Sequence, residues 1–171
     1  MRERILVTLS RDELRHAAHA GIERRLDAMQ KSRQGRFREP EWKQRWFQST
    51  VVGAIGELAV AKAFGYDWNP HVGRVDQSDV AGLEVRTSEL PDPRLKLYPR
   101  DSRQASYVLC SYKADQVLIQ GWLPGYEIER LGREEFQDGV YTATLAELYA
   151  IADLPGEIEY CDTVTLYKGH R

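Results

Sequence analysis

Two acids and a cation stand close together in the stretch Asp79-Val80-Ala81-Gly82-Leu83-Glu84-Val85-Arg86-Thr87-Ser88. It reads as a tight β-hairpin that turns at Gly82, with Asp79 on one arm and Glu84 on the other. Val85 separates Glu84 from Arg86, so in an extended strand those two side chains share a face. Carboxylates from the two arms can hold a divalent metal, and the long cation beside them can hold a phosphate. The chemistry that needs this set is phosphodiester hydrolysis. The metal lowers the pKa of a bound water and neutralises charge building at phosphorus, and the cation stabilises the pentavalent transition state. Asp76 is a rival to Asp79 for the ligand role, but its place before Gln77-Ser78 suits a turn, which favours Asp79.

A third carboxylate comes from a helix. The run Val51-Val52-Gly53-Ala54-Ile55-Gly56-Glu57-Leu58-Ala59-Val60-Ala61-Lys62-Ala63-Phe64 is almost all small or apolar, as expected of a buried helix packed closely on something flat. Gly53 and Gly56 each cost a helix about 1 kcal/mol relative to Ala, which close approach of another backbone would offset. Glu57 is the charged exception, and a buried charge needs a cation, a hydrogen-bond donor or a metal. Taken alone, the 79–88 stretch would be an ion pair across a surface turn. Glu57, on a helix expected to pack behind the same sheet, turns it into a candidate site.

The remaining elements follow from periodicity and punctuation. Ile5 to Leu9 alternates weakly, as a short strand does. Ser10-Arg11-Asp12-Glu13 is a capping box that opens a helix running to about Lys31, with Leu14, Ala17, Ala18, Ile22, Arg25 or Leu26, and Met29 as its apolar stripe. His16 and His19, three apart on it, are a weak metal signal and read better as solvated side chains. Gln34 to Pro40 is a basic connector in which Arg36 and Arg38 flank Phe37, suited to phosphate contact and stacking, though it reads better as an ordinary loop pinned by Phe37. Pro40 opens the second helix and Gly65 stops it. Leu95 to Tyr98 alternates as a strand that carries Lys96. Ala105 to Tyr112 and Gln116 to Leu123 are two strands joined by a tight turn, and Glu157 to Tyr167 is strand-like.

At Gly53-Ala54-Ile55-Gly56-Glu57, Asp79 and Glu84-Val85-Arg86 the chain resembles the PD-(D/E)xK nuclease superfamily, with a resemblance to its phage-type members over about residues 50–125. The family core carries Glu on a first helix, Asp on one strand and acid-x-Lys on the next. The resemblance implies a restriction-endonuclease-like α+β (α/β) fold, a mixed sheet packed against N-terminal helices. It divides a single domain of residues 1–171 into a helical extension with a basic connector (1–39), a nuclease-like core (40–125) and a C-terminal extension (126–171). It further implies an endonuclease that cuts DNA, with Glu57, Asp79 and Glu84 binding Mg²⁺ or Mn²⁺, Arg86 on the scissile phosphate, and Arg36, Arg38 and Lys96 as nucleic-acid contacts. A homodimer is compatible with it. Arg86 stands where the family has Lys. Arginine holds phosphate bidentately but is a poor proton acceptor, so the alternative is a nuclease fold without catalysis, serving DNA binding or assembly. Residues 88–106 lack the helical pattern of the family's second helix.

The totals agree with a globular protein of this class. The 171 residues carry 42% apolar and 29% charged residues, enough for one core. Residues 1–50 hold twelve Lys and Arg against seven acids, and residues 115–171 hold four against eleven, so a basic end can meet a phosphate backbone while the acidic end faces away. Cys110 and Cys161 have no neighbouring cysteines and read as reduced core residues. No apolar run reaches the length of a membrane span and the start is too charged for a signal peptide, which points to the cytoplasm.

Overall fold

A computed structural model describes residues 3–30, 40–70, 78–131, 133, 139–155 and 164–167, with the backbone alone for 40–46. Two of the expected phosphate contacts, Arg36 and Arg38, lie outside the described residues, as do Asp76 and Cys161.

The chain runs β1 (Arg4–Thr8), α1 (Arg11–Gln30), α2 (Pro40–Ala63), β2 (Leu83–Ser88), β3 (Leu95–Leu97), β4 (Ser106–Lys113), β5 (Gln116–Pro124), α3 (Gly125–Arg130), β6 (Tyr141–Ala143) and β7 (Thr165–Tyr167). The fold is mixed α+β. Its main sheet has the order β2-β4-β5-β1-β7, and β3 and β6 form a second, two-stranded sheet. Among the described strands of this sheet only β2 and β4 pair in parallel, while β4–β5, β1–β5 and β1–β7 are antiparallel. β1, in the part of the chain read as an extension, is an inner strand of the main sheet. Among the described residues no helix is long and apolar enough to cross a membrane.

The two faces of the sheet bury different things. Val85, Val108 and Cys110 face α2 and share a core with Ala54, Ile55, Ala59 and Val60. Tyr107 and Leu109, alternating with them on β4, join a second core with Leu95, Leu97, Ile128 and Ala143. This is the period-2 alternation of a strand buried on both faces. Cys110 is a buried free thiol, and burial pushes its pKa up.

The capping box at the start of α1 forms as the spacing predicts. Glu13 N–H donates to Ser10 Oγ at 3.2 Å and Ser10 N–H to Glu13 at 2.7 Å. The apolar stripe differs from the expected one. Ala17, Ala20, Gly21 and Arg25 are buried, whereas Ile22, Leu26 and Met29 are 40%, 41% and 54% exposed. The cause is the close crossing of α1 on α2. A Cβ at Gly21 would lie 2.6 Å from the Cα of Val51, so the crossing point admits only glycine, and the buried face around it is Ala17, Ala20 and Arg25, whose guanidinium lies over the Phe47 ring, 5.6 Å from its centroid. The glycines of α2 divide. A Cβ at Gly56 would run into Thr87 Oγ1 on β2, while one at Gly53 would meet nothing within 4 Å among the described residues. Gly56 therefore seats α2 against the strand that bears the acid-x-Arg triplet, and packing does not explain Gly53.

The hairpin is shorter than expected. Val80 and Leu83 exchange backbone hydrogen bonds of 3.1 and 2.8 Å around Ala81 and Gly82, whose φ angles are 46° and 88°, the two positive values of a type I′ turn. Beyond that single pair, β2 takes β4 as its partner. No helix intervenes between β2 and β4. The crossover is β3 followed by a turn at 98–103, which matches the missing helical pattern there.

Candidate active site

Parallel pairing sets Glu84 beside Tyr107 and Arg86 beside Leu109. The side chains of Glu84 and Arg86 therefore lie on the face away from α2, and Val85 between them faces it. Asp79 sits just before the turn, at the end of β2, an outer strand of the five-stranded sheet. Its Oδ2 accepts the backbone N–H of Val85 at 2.8 Å, which ties the carboxylate to the strand it precedes.

Arg86 is the centre of the cluster. Its guanidinium donates to Asp101 Oδ2 at 3.0 Å and lies 3.7 Å from Glu84 and 4.0 Å from Asp79. It also stands over the Tyr107 ring, 5.1 Å from the centroid. The latter two carboxylates are close enough to feel its charge without a hydrogen bond to it. Asp101 was not legible as a site residue. It is held in place because its Oδ2 also accepts the N–H of Tyr98 at 2.9 Å, and Arg103 pins the same turn by donating to the carbonyls of Tyr98, Pro99 and Asp101.

Glu57 is occupied. Arg24 of α1 donates to both of its oxygens at 2.6 Å, and the Trp68 indole N–H approaches one of them at 3.4 Å. α2 packs on the opposite sheet face from Glu84 and Arg86, and Glu57 is linked to the cluster through the charge of Asp79. Burial is the main cause that raises the Glu57 carboxyl, the Arg24 hydrogen bonds work against it, and the charge of Asp79 adds to the rise. His16 packs edge-on to Trp68 with centroids 5.2 Å apart, and His19 stands 3.9 Å from Glu23.

Burial likewise raises Asp79, against its hydrogen bond from Val85 and the charges of Arg86 and Arg24, with Asp101 adding to the rise. It raises Glu84 too, helped by Asp79, Asp101 and more weakly Glu57, and opposed by Arg86. Several carboxylates thus share a partly dry place with too little positive charge, an arrangement concentrated at functional sites. The folded protein holds the Glu84 proton to higher pH than the unfolded chain does. As pH rises from about 4, the unfolded chain ionises first and stability falls until the folded-state pKa is passed. Glu84→Gln, in chelator, is expected to raise the urea midpoint at pH 7 and leave it unchanged near pH 4. An equal shift at both values would sink this account.

The donor set bears on a metal. Asp79 Oδ1 and both oxygens of Glu84 accept no hydrogen bond from the described residues. Two hard carboxylates with oxygens to spare suit Mg²⁺ or Mn²⁺, which keeps waters and takes substrate phosphate oxygens as its other ligands. Among the described residues no three His, Cys, Asp or Glu side chains are placed to hold an ion between them. The fit is to Asp79 and Glu84 as a pair.

Next to the cluster lies a pocket of about 480 Å³, lined by Arg86 and Lys96 among others. Lys96, expected from sequence as a nucleic-acid contact, is thus brought close to the site. The chain matches no known family model, no curated protein and no solved structure.

Proposed function

We propose that the chain is a metal-dependent nuclease of the PD-(D/E)xK kind that hydrolyses DNA phosphodiester bonds. The observation that carries this reading is the placement of Asp79 and Glu84 within 4.0 Å of the Arg86 guanidinium at one end of β2. Asp79 and Glu84 would hold Mg²⁺ or Mn²⁺. Bound there, the ion supplies a water of lowered pKa and neutralises charge on the phosphodiester.

The chain's own residues do the rest. Arg86 offers its guanidinium to the phosphate, and its hydrogen bond to Asp101 at 3.0 Å orients it. Its charge is kept by Asp101, Asp79 and Glu84, which raise its pKa despite burial, so Arg86 is a stabiliser of negative charge and no proton acceptor. Glu57 is here a positioning residue, because Arg24 takes both of its oxygens.

The test is incubation of plasmid, single-stranded and branched DNA with the protein and Mn²⁺. Cutting by the wild type that Glu84→Ala abolishes is the expected result, and no cutting of any of the three sinks the reading. One observation favours the second reading, a nuclease fold that binds DNA without cutting it. Arg24 saturates Glu57 at 2.6 Å, so the third expected ligand is taken by a side chain. Calorimetry at millimolar Mg²⁺ or Mn²⁺ separates the two, since heat of binding lost in Asp79→Asn supports the nuclease and silence supports the second.

A further inference from the structure

The pocket beside the cluster has a chemistry that hydrolysis does not use. At about 480 Å³ it falls in the roughly 300–1,000 Å³ range of small-molecule sites. Three cations line it, Arg86, Arg94 and Lys96; Arg86 is shared with Asp101, Glu84 and Asp79, and Asp92 stands 3.5 Å from Arg94. Besides Thr87 and Ser88, its lining offers apolar surface, with Leu90 64% and Tyr98 36% exposed and Leu109 buried. A ligand that satisfies both halves has an anionic group and a flat ring. Arg86 belongs to the pocket and to the carboxylate cluster, so a strand whose phosphate reaches Arg86 carries its neighbouring nucleotide to the pocket.

We infer that this pocket takes one unpaired nucleotide, with its phosphate on Arg94 and Lys96 and its base against Tyr98 and Leu90. The pocket has room for one nucleotide. A base from duplex would have to leave its partner and its stack, a cost that single-stranded ends and flaps avoid. The substrate class that follows is DNA with a single-stranded segment at the site. This deepens the nuclease reading and rests on it for the direction in which the strand runs.

The experiment measures binding in EDTA, where no cutting occurs. The probes are a short oligothymidine strand, a blunt duplex of equal length, thymidine 5′-monophosphate and inorganic phosphate. The single strand is expected to bind at least about tenfold tighter than the duplex. The nucleotide is expected to compete more strongly than phosphate. Tyr98→Ala should weaken the nucleotide about tenfold and leave phosphate unchanged, and Lys96→Glu should weaken both, with circular dichroism matching wild type for each variant. Equal binding of strand and duplex, a nucleotide no better than phosphate, or either variant behaving as wild type overturns the inference. Nucleotide binding by a protein that cuts nothing overturns the nuclease reading and upholds the pocket. Cutting without nucleotide binding overturns the pocket alone.

Discussion

Arg24→Ala is expected to cost the fold about 3 kcal/mol at pH 7, read as a drop in the urea midpoint with an unchanged slope. The substitution strands the Glu57 carboxylate, whose side chain is 5% exposed, with only a long contact to the Trp68 indole. Breaking a buried pair by removing one partner leaves an uncompensated charge, which is the costly case. The stranded carboxyl can escape by holding a proton, so the loss has a sign in pH. It grows as pH rises above the ordinary carboxylate range and shrinks toward pH 4. Replacing both partners by apolar residues, Arg24→Met with Glu57→Leu, is expected to return most of the stability, because neither charge is then desolvated. If the single and double variants are equally unstable, the pair is not what fastens α1 to α2.

Arg86→Ala is expected to lower DNA turnover with Mn²⁺ by about 10² to 10³, the usual effect of losing one group aimed at developing charge. Asp79, Glu84 and Asp101 lose their shared counter-charge as well, so part of the loss is structural. Arg86→Lys separates the two effects. It keeps the charge but loses the fork that reaches Asp101 at 3.0 Å while standing between the other carboxylates. Intermediate turnover with wild-type stability fits an arginine that orients phosphate. Full activity in Arg86→Ala would remove Arg86 from the mechanism.

What was legible in the sequence is what local chemistry determines. The Ser10–Glu13 box, Pro40 at the start of α2, Gly65 after it (φ 66°) and the β4–β5 hairpin each depend on neighbours within a few residues. Glu84 and Arg86 on one face follow from the same locality. The partner of Glu57 did not, because Arg24 lies 33 residues away and a helix pattern marks a charged position without naming its counter-ion. Asp101 was hidden for a similar reason: its role depends on a turn folded back over β2, and a turn-rich stretch with no period does not say where it returns. The outward Ile22, Leu26 and Met29 show a third limit. Apolar spacing predicts a buried stripe, but a helix that crosses its partner at Gly21 buries the face of Ala17, Ala20, Gly21 and Arg25 instead.

The place of β1 has a consequence for how the chain assembles. Ile5 is matched with Ile119, so the strand between β5 and β7 joins residues more than a hundred positions apart. Contacts of such separation are the slow ones, because the entropy of closing the loop must be met before the pairing returns anything. α1 can dock on α2, and β4 on β5, from nearby chain alone. β1, made well before β5, is therefore among the last of these strands to find its place, and until it does β5 presents a bare apolar edge, a window in which a nascent chain is most open to pairing with a neighbour.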